Sequence, residues 1–175
     1  MQINVAQLLK ATIGTTRDYE IDGAVDITGD GVERQVKGEV TLTRTNRGIL
    51  VQGTLHTELE YTCSRCLAPF TLPLTFTVQD EYFPAIDVST GVPVCLPDEP
   101  GCFTIDEHHI IDLTEAIRQY AILAIPMKLL CREDCAGLCP TCGRNLNQGA
   151  CGCPTQETDP RWAKLVKLAE QKGTE

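Results

Sequence analysis

Six of the ten cysteines in this 175-residue chain lie in one short stretch, as Cys131-Arg-Glu-Asp-Cys135, Cys139-Pro-Thr-Cys142 and Cys151-Gly-Cys153. An earlier pair, Cys63-Ser-Arg-Cys66, adds two more. Thiols two or three residues apart on tight turns can converge on one point, as a soft-to-borderline metal such as zinc requires. Eight thiols make two four-thiolate sites. A fold for this chain has to bring distant cysteines into such sets.

The setting matters, because the same cysteines in an oxidising compartment would read as disulfides. The N-terminus, Met1-Gln2-Ile3-Asn4-Val5, has no basic region followed by an apolar one, and no run of eighteen apolar residues occurs. A cytoplasmic chain with reduced thiols is expected, and clustered reduced thiols read as metal ligands first. Net charge is −9 and no Lys or Arg lies between Arg65 and Arg118, a span holding nine acids. Non-specific nucleic-acid affinity comes from neutralising phosphates, so this charge excludes a general nucleic-acid binder. Each four-thiolate zinc site would add two further negative charges. With only 5% aromatic residues, stacking platforms for single strands are sparse.

From about Gly31 to Phe83 apolar and polar residues alternate with a period of two. Val36–Leu42, Ile49–Tyr61 and Phe70–Val78 are predicted strands, with a turn at Asn46-Arg47-Gly48 where glycine can supply a positive φ. Pro73 has no N–H to donate and suggests an edge or a bulge. Cys63 and Cys66 fall in the connection between the second and third strands. Residues 84–106, rich in Pro and Gly, read as a solvated acidic loop. Asp112 and Glu115 resemble a capping box opening a helix whose apolar face is Leu113, Ile117, Tyr120, Ala121, Ala124 and Ile125, and Pro126 stops it. A last helix is predicted after Asp159-Pro160, with Trp162, Leu165, Val166 and Leu168 on its face. The first ten residues fit a short strand or a short helix equally well. The fold class is therefore α+β. An antiparallel β-meander covered by helices occupies residues 1–130, and a small zinc-knuckle module with the C-terminal helix occupies 131–175.

Cys139, Cys142, Cys151 and Cys153 are the more self-contained set. Cys139-Pro-Thr-Cys142-Gly has the form of a zinc knuckle, in which Gly143 lets backbone N–H groups turn toward sulfur. Cys63, Cys66, Cys131 and Cys135 are then left over, and a zinc ion among them would pin helix to sheet. The other grouping has Cys131 and Cys135 joining Cys139 and Cys142. Four thiolates close a tetrahedron and leave no position for water, so either grouping implies structural zinc rather than catalysis. Cys95 and Cys102 read as incidental thiols. His108 and His109, adjacent on an extended segment, would point opposite ways, and they and His56 read as structural.

Tyr61-Thr62-Cys63-Ser64-Arg65-Cys66-Leu67 after a meander resembles the Cys-x-Arg-Cys-Leu signature of the YceD-like family, the large ribosomal RNA subunit accumulation proteins. Asp112-Leu113-Thr114-Glu115-Ala116-Ile117-Arg118, Leu123-Ala124-Ile125-Pro126, Cys135-Ala136-Gly137-Leu138-Cys139-Pro140-Thr141-Cys142-Gly143 and Asp159-Pro160-Arg161-Trp162 resemble its cysteine-rich branch. The resemblance covers about residues 1–172. Shorter members of the family keep the Cys-x-Arg-Cys pair while the distal cluster is reduced, which favours the grouping of Cys63 and Cys66 with Cys131 and Cys135. The resemblance implies a cytoplasmic, non-enzymatic factor in large-subunit assembly, whose partner is a large-subunit precursor, its ribosomal RNA or a ribosomal protein.

Candidate partner-facing residues are Arg34, Lys37, Arg44 and Arg47 on the first hairpin and Arg65 between the first cysteines. The competing reading is a thiol–disulfide oxidoreductase using Cys63 and Cys66, or an iron–thiolate redox protein. A redox Cys-x-x-Cys needs a thiol of lowered pKa, commonly at a helix N-terminus, whereas this one lies between strands. No paired carboxylates, Ser/His/Asp set or phosphate-cradling loop stands out.

Overall fold

Alternating side chains over residues 34–84 become long antiparallel strands, because one face of each can then be buried and the other solvated. The computed structural model describes residues 1–87, 90–93, 101–154 and 161. In chain order the elements are β1 (Gln2–Asn4), α1 (Ala6–Leu9), β2 (Thr16–Val25), β3 (Arg34–Arg44), β4 (Ile49–Thr62), β5 (Pro69–Pro84), β6 (Phe103–Ile105), β7 (Ile110–Asp112) and α2 (Thr114–Ala124). A short 3₁₀ turn follows at Leu146–Gln148. The main sheet runs β2-β3-β4-β5-β6, and β1 pairs with β7 in a separate two-stranded sheet.

The mostly β, α+β architecture was legible, but four expectations need correction. First, the sheet is not a pure meander: β6 pairs parallel to β5, through Tyr82–Phe103 to Pro84–Ile105. A parallel neighbour needs a long return connection, and the stretch read as a loop supplies it and ends as a strand. Second, a strand precedes the predicted ones: in β2 Asp18, Glu20 and Asp22 alternate with Tyr19, Ile21, Gly23 and Val25, of which Ile21 and Val25 are buried. Third, Gly48 does not supply a positive φ. It is needed because a Cβ there would stand 2.0 Å from the Tyr82 carbonyl oxygen. Fourth, Asp112 and Glu115 do not form a capping box. Asp112 closes β7 and accepts from the Thr114 N–H at 2.9 Å, while Glu115 accepts from Arg118 and Gln119. The N-terminal ten residues hold both a strand and a helical turn.

Val36, Val40 and Leu42 of β3, Val51, Leu55 and Leu59 of β4, and Leu74, Phe76 and Val78 of β5 form one buried face. Ala116, Ile117 and Ala121 of α2 join the same core, as do Leu8 and Leu9 of α1. Each fully buried Leu or Ile contributes about 1.5–3 kcal/mol relative to exposure, so this face is the main source of stability. Pro126 follows α2 directly, and Ile125 has left helical dihedrals at ψ 124°. Among the described residues Pro73 lies where β5 pairs with β4 on one side only, which fits the predicted edge.

Asp112 gives a pH test of the α2 start. Partial burial pushes its carboxyl up, but the Thr114 hydroxyl and N–H and the N-terminal ammonium outweigh this and hold it at about 2, against 3.8 ordinarily. A depressed carboxyl contributes stability that is complete above its unfolded pKa and is lost as pH falls through the folded value. Asp112→Asn should therefore flatten the loss of stability between about pH 4 and about pH 2, read by urea unfolding at several pH values. An unchanged acid limb would show that other groups set it.

The described residues form two compact units. One is Met1–Ser64 with Ala68–Cys131, and the other joins Arg65–Leu67 to the described residues from Arg132 onward. The predicted helix after Asp159-Pro160 lies outside the described residues.

Candidate metal centres

Each cysteine turn is shaped by its backbone. At the end of β4 the Cys63 N–H donates to the Ala68 carbonyl at 2.9 Å, closing the turn into β5, with Leu67 at a φ of 56° inside it. The Ser64 N–H donates to the Leu129 carbonyl at 2.8 Å, which ties this turn to the chain leading to Cys131. In the second unit, Arg65 Nη1 donates to the Cys135 carbonyl at 2.7 Å.

The knuckle is built as its sequence suggests. The Cys139 N–H donates to the Arg144 carbonyl at 2.8 Å, and the Gly143 N–H returns to the Cys139 carbonyl at 2.9 Å, with Gly143 at a φ of 72°. That left-handed conformation is one a side chain disfavours, which is why glycine stands there. Hydrogen bonds from the backbone N–H groups of Cys142 and Thr141, then from the Cys151 thiol, hold the Cys139 thiol down to about 6. The Cys153 thiol is pushed up to about 12, chiefly by its hydrogen bond with Cys142. Backbone N–H groups turned toward a cysteine sulfur are the surroundings in which a metal-bound thiolate is stabilised.

The Sγ atoms of Cys63, Cys66, Cys131 and Cys135 all lie within 4.8 Å of one another, and so do those of Cys139, Cys142, Cys151 and Cys153. A tetrahedron with metal–sulfur bonds of about 2.3 Å has sulfurs about 3.8 Å apart, so both sets need only small adjustments to close on an ion. Both could bind metal ions. The structure therefore brings together the grouping that the family resemblance favoured, and not the one that unites Cys131 and Cys135 with Cys139 and Cys142. Cys63, Cys66 and Cys135 are buried, whereas Cys142 is exposed.

Asn147 serves the first cysteine set without being marked by any motif. Its Nδ2 donates to Cys135 Sγ at 3.3 Å, while its Oδ1 accepts from the Ala136 N–H at 2.8 Å and from Arg132 at 2.6 Å. Asn145 Oδ1 in turn receives the Asn147 N–H and Nδ2. Such donors orient a ligand sulfur and offset its charge. The only sequence signal was an Asn-x-Asn inside a cysteine-rich loop.

The structure gives each of the five basic candidates a local partner. Arg34 is held by Asp30 in a two-bond pair at 3.0 and 2.8 Å. Arg44 donates to the carbonyls of Leu9 and Gly48. Arg47 lies over the Phe83 ring at 4.8 Å, and Arg65, itself exposed, makes the Nη1 bond to the Cys135 carbonyl. Lys37 is exposed and 3.6 Å from Asp22. His108 and His109 sit in a turn rather than an extended segment, with His109 at a φ of 61°. His56 bonds Thr75 across the sheet at 2.9 Å. Cys102 is half-buried, and Cys95 lies outside the described residues.

The geometry defines an α+β protein with paired four-cysteine centres. Among the described residues no helix is long and apolar enough to cross a membrane. Within that class the chain belongs to the YceD family: the family model described as large ribosomal RNA subunit accumulation protein YceD matches residues 51–169. An uncharacterized protein of Mycobacterium tuberculosis is 37% identical over 123 residues, 70% of this chain and 56% of its own length. A maize protein described as large ribosomal RNA subunit accumulation protein YCED homolog 1, chloroplastic, is 29% identical over 154 residues, 75% of this chain and 53% of its own. The chain thus spans just over half the length of these curated relatives. No solved structure matches it.

Proposed function

We propose that this protein is a non-enzymatic, cytoplasmic ribosome-biogenesis factor that supports accumulation of large-subunit ribosomal RNA, and that both cysteine tetrads hold structural zinc. The observation that carries this reading is the family match over residues 51–169, a span that contains all eight clustered thiols. Zinc suits the tetrads because four thiolates satisfy its tetrahedral preference and leave no open position. Cys63, Cys66, Cys131 and Cys135 would hold one ion, and Cys139, Cys142, Cys151 and Cys153 the other. The partner is a large-subunit precursor, contacted through ribosomal RNA or a ribosomal protein. Residues 1–130 would supply the partner-facing sheet and 131–175 the zinc-bearing segment. Of the basic candidates for contact, Lys37, Arg47 and Arg65 are exposed and Arg34 and Arg44 half-buried.

The test is affinity capture of the tagged full chain, with ribosomal RNA measured after its depletion. Precursor large-subunit particles should copurify, and large-subunit RNA should fall relative to small-subunit RNA. Absence of both effects would overturn the assignment. The redox alternative draws on the exposed Cys142 beside the lowered Cys139 thiol. Insulin reduction by the metal-loaded protein would revive it, and a coloured iron-bearing protein would replace zinc with iron.

A further inference from the structure

Beyond the cysteine centres, the sheet of the first unit carries a strand edge that no described strand pairs with, beside a face rich in carboxylates. On β5 the Gln79 carbonyl accepts from the Tyr120 hydroxyl of α2 at 2.7 Å, so residue 79 directs its backbone groups away from β4. Backbone direction alternates along a strand, so Thr71, Pro73, Thr75 and Thr77 direct theirs to the same side. Pro73 offers this row a carbonyl but no N–H, so the outward N–H donors are those of Thr71, Thr75 and Thr77. Among the described residues no strand pairs with this side of β5 before Tyr82. A row of N–H and C=O groups of this kind is a template for one more strand.

The flanking chemistry specifies what that strand would carry. On the solvent face the register aligns Glu58 with Pro73 and Glu60 with Thr71, and all four are exposed. A strand added beside β5 would lie two strand spacings, about 10 Å, from β4, within reach of Lys or Arg side chains crossing over the small Thr and Pro. Between them runs a groove of about 710 Å³ whose lining includes Lys37, His56, Glu58, Glu60, Pro73 and Thr75. Farther along this face Glu20 stands directly opposite Glu39, a like-charge cross-strand pair that is unfavourable without a cationic partner. The cations that line the groove are already matched, Arg34 to Asp30 and Lys37 to Asp22. On the opposite side of the same edge Leu123 is 80% exposed and lines an apolar notch with Phe76, Tyr120 and Ala124.

We infer that β5 accepts an extended polypeptide as an additional strand, one whose alternate side chains are basic over Glu58 and Glu60 and apolar against Leu123. The inference does not depend on the zinc or ribosomal readings. RNA is disfavoured as the occupant because its phosphates would face carboxylates.

The test uses the full metal-loaded chain and three labelled probes in anisotropy titrations. They are a blocked peptide of about eight residues alternating Lys and Val, a peptide of the same composition with Lys and Val in separate blocks, and an oligouridylate. The alternating peptide should bind best. Glu58→Gln with Glu60→Gln should weaken it about fivefold. Thr75→Pro, which removes an outward N–H and adds a clash, should weaken it by about tenfold or more. Methylating the peptide nitrogens along one row should abolish binding to the unaltered protein, which keeps the test decisive if the proline variant misfolds. Equal binding of the block peptide, tolerance of both backbone changes, or tighter binding of the oligouridylate would each overturn the inference.

Discussion

Replacing Cys139 and Cys142 together with serine should lower bound zinc from about two ions per chain to about one, and replacing Cys63 and Cys66 together should do the same with a far larger loss of stability. A structural zinc ion supplies about 10 kcal/mol or more of apparent binding free energy to a small metal-dependent fold, comparable with the entire stability of an ordinary domain. The knuckle variant loses that energy locally. Its turn is held by the few backbone hydrogen bonds around Cys139 and Gly143, whereas the sheet keeps its own apolar core. The Cys63 and Cys66 variant places two hydroxyls at positions only 0% and 5% exposed. It thus adds the cost of burying polar groups, about 1–3 kcal/mol each by protein measurements, to the lost metal. Elemental analysis with thermal unfolding of the two variants checks both statements. Two ions retained by either double variant would refute the tetrads as ligand sets.

Gly53→Ala should destabilise the sheet unit by about 3 kcal/mol or more. Gly53 is in β4, between Val40 of β3 and Val78 of β5. A Cβ there would meet the Glu39 carbonyl oxygen at 2.3 Å and Val40 Cγ1 at 2.6 Å. The oxygen belongs to a strand paired on both sides, so it cannot retreat without disturbing the ladders to β2 and β4. Gly152→Ala is the matched control, because nothing lies within 4 Å of its added Cβ and its backbone is not left-handed. It should change stability by less than about 0.5 kcal/mol. Urea unfolding compares the two, and a Gly53 variant within about 1 kcal/mol of the parent would mean that β3 and β4 can separate locally.

The legible parts of the fold were those where one physical signal dominated. β3, β4 and β5 carry unbroken alternation, and α2 ends at a proline that no helix interior tolerates. β2 carries the same alternation, Tyr19, Ile21 and Val25 against Asp18, Glu20 and Asp22, but with two buried residues its apolar stripe is short, and the edge of β3 supplies its hydrogen bonds. β6, only three residues long, is likewise defined by its partner rather than by its composition. The supposed capping box failed because Glu115 had better local partners in Arg118 and Gln119. Among the site residues, the cysteines announced themselves by spacing, but Asn147 did not, since an asparagine that serves a sulfur looks like any loop asparagine until its donor is placed.

By itself the sequence determined that this chain has eight clustered thiols, a sheet with one apolar face and too little positive charge for general nucleic-acid binding. Those are properties of composition and local period, which a chain carries before it folds. It left open which thiols share a site, because spacing along the chain limits only neighbours and says nothing about pairs that are sixty-odd residues apart. The tertiary structure decided that, gathering Cys63 and Cys66 with Cys131 and Cys135 within 4.8 Å. It also decided which local partners the basic residues have, and that among the described residues no strand pairs with the outer side of β5 before Tyr82. Both depend on register and direction, which exist only once the strands are paired.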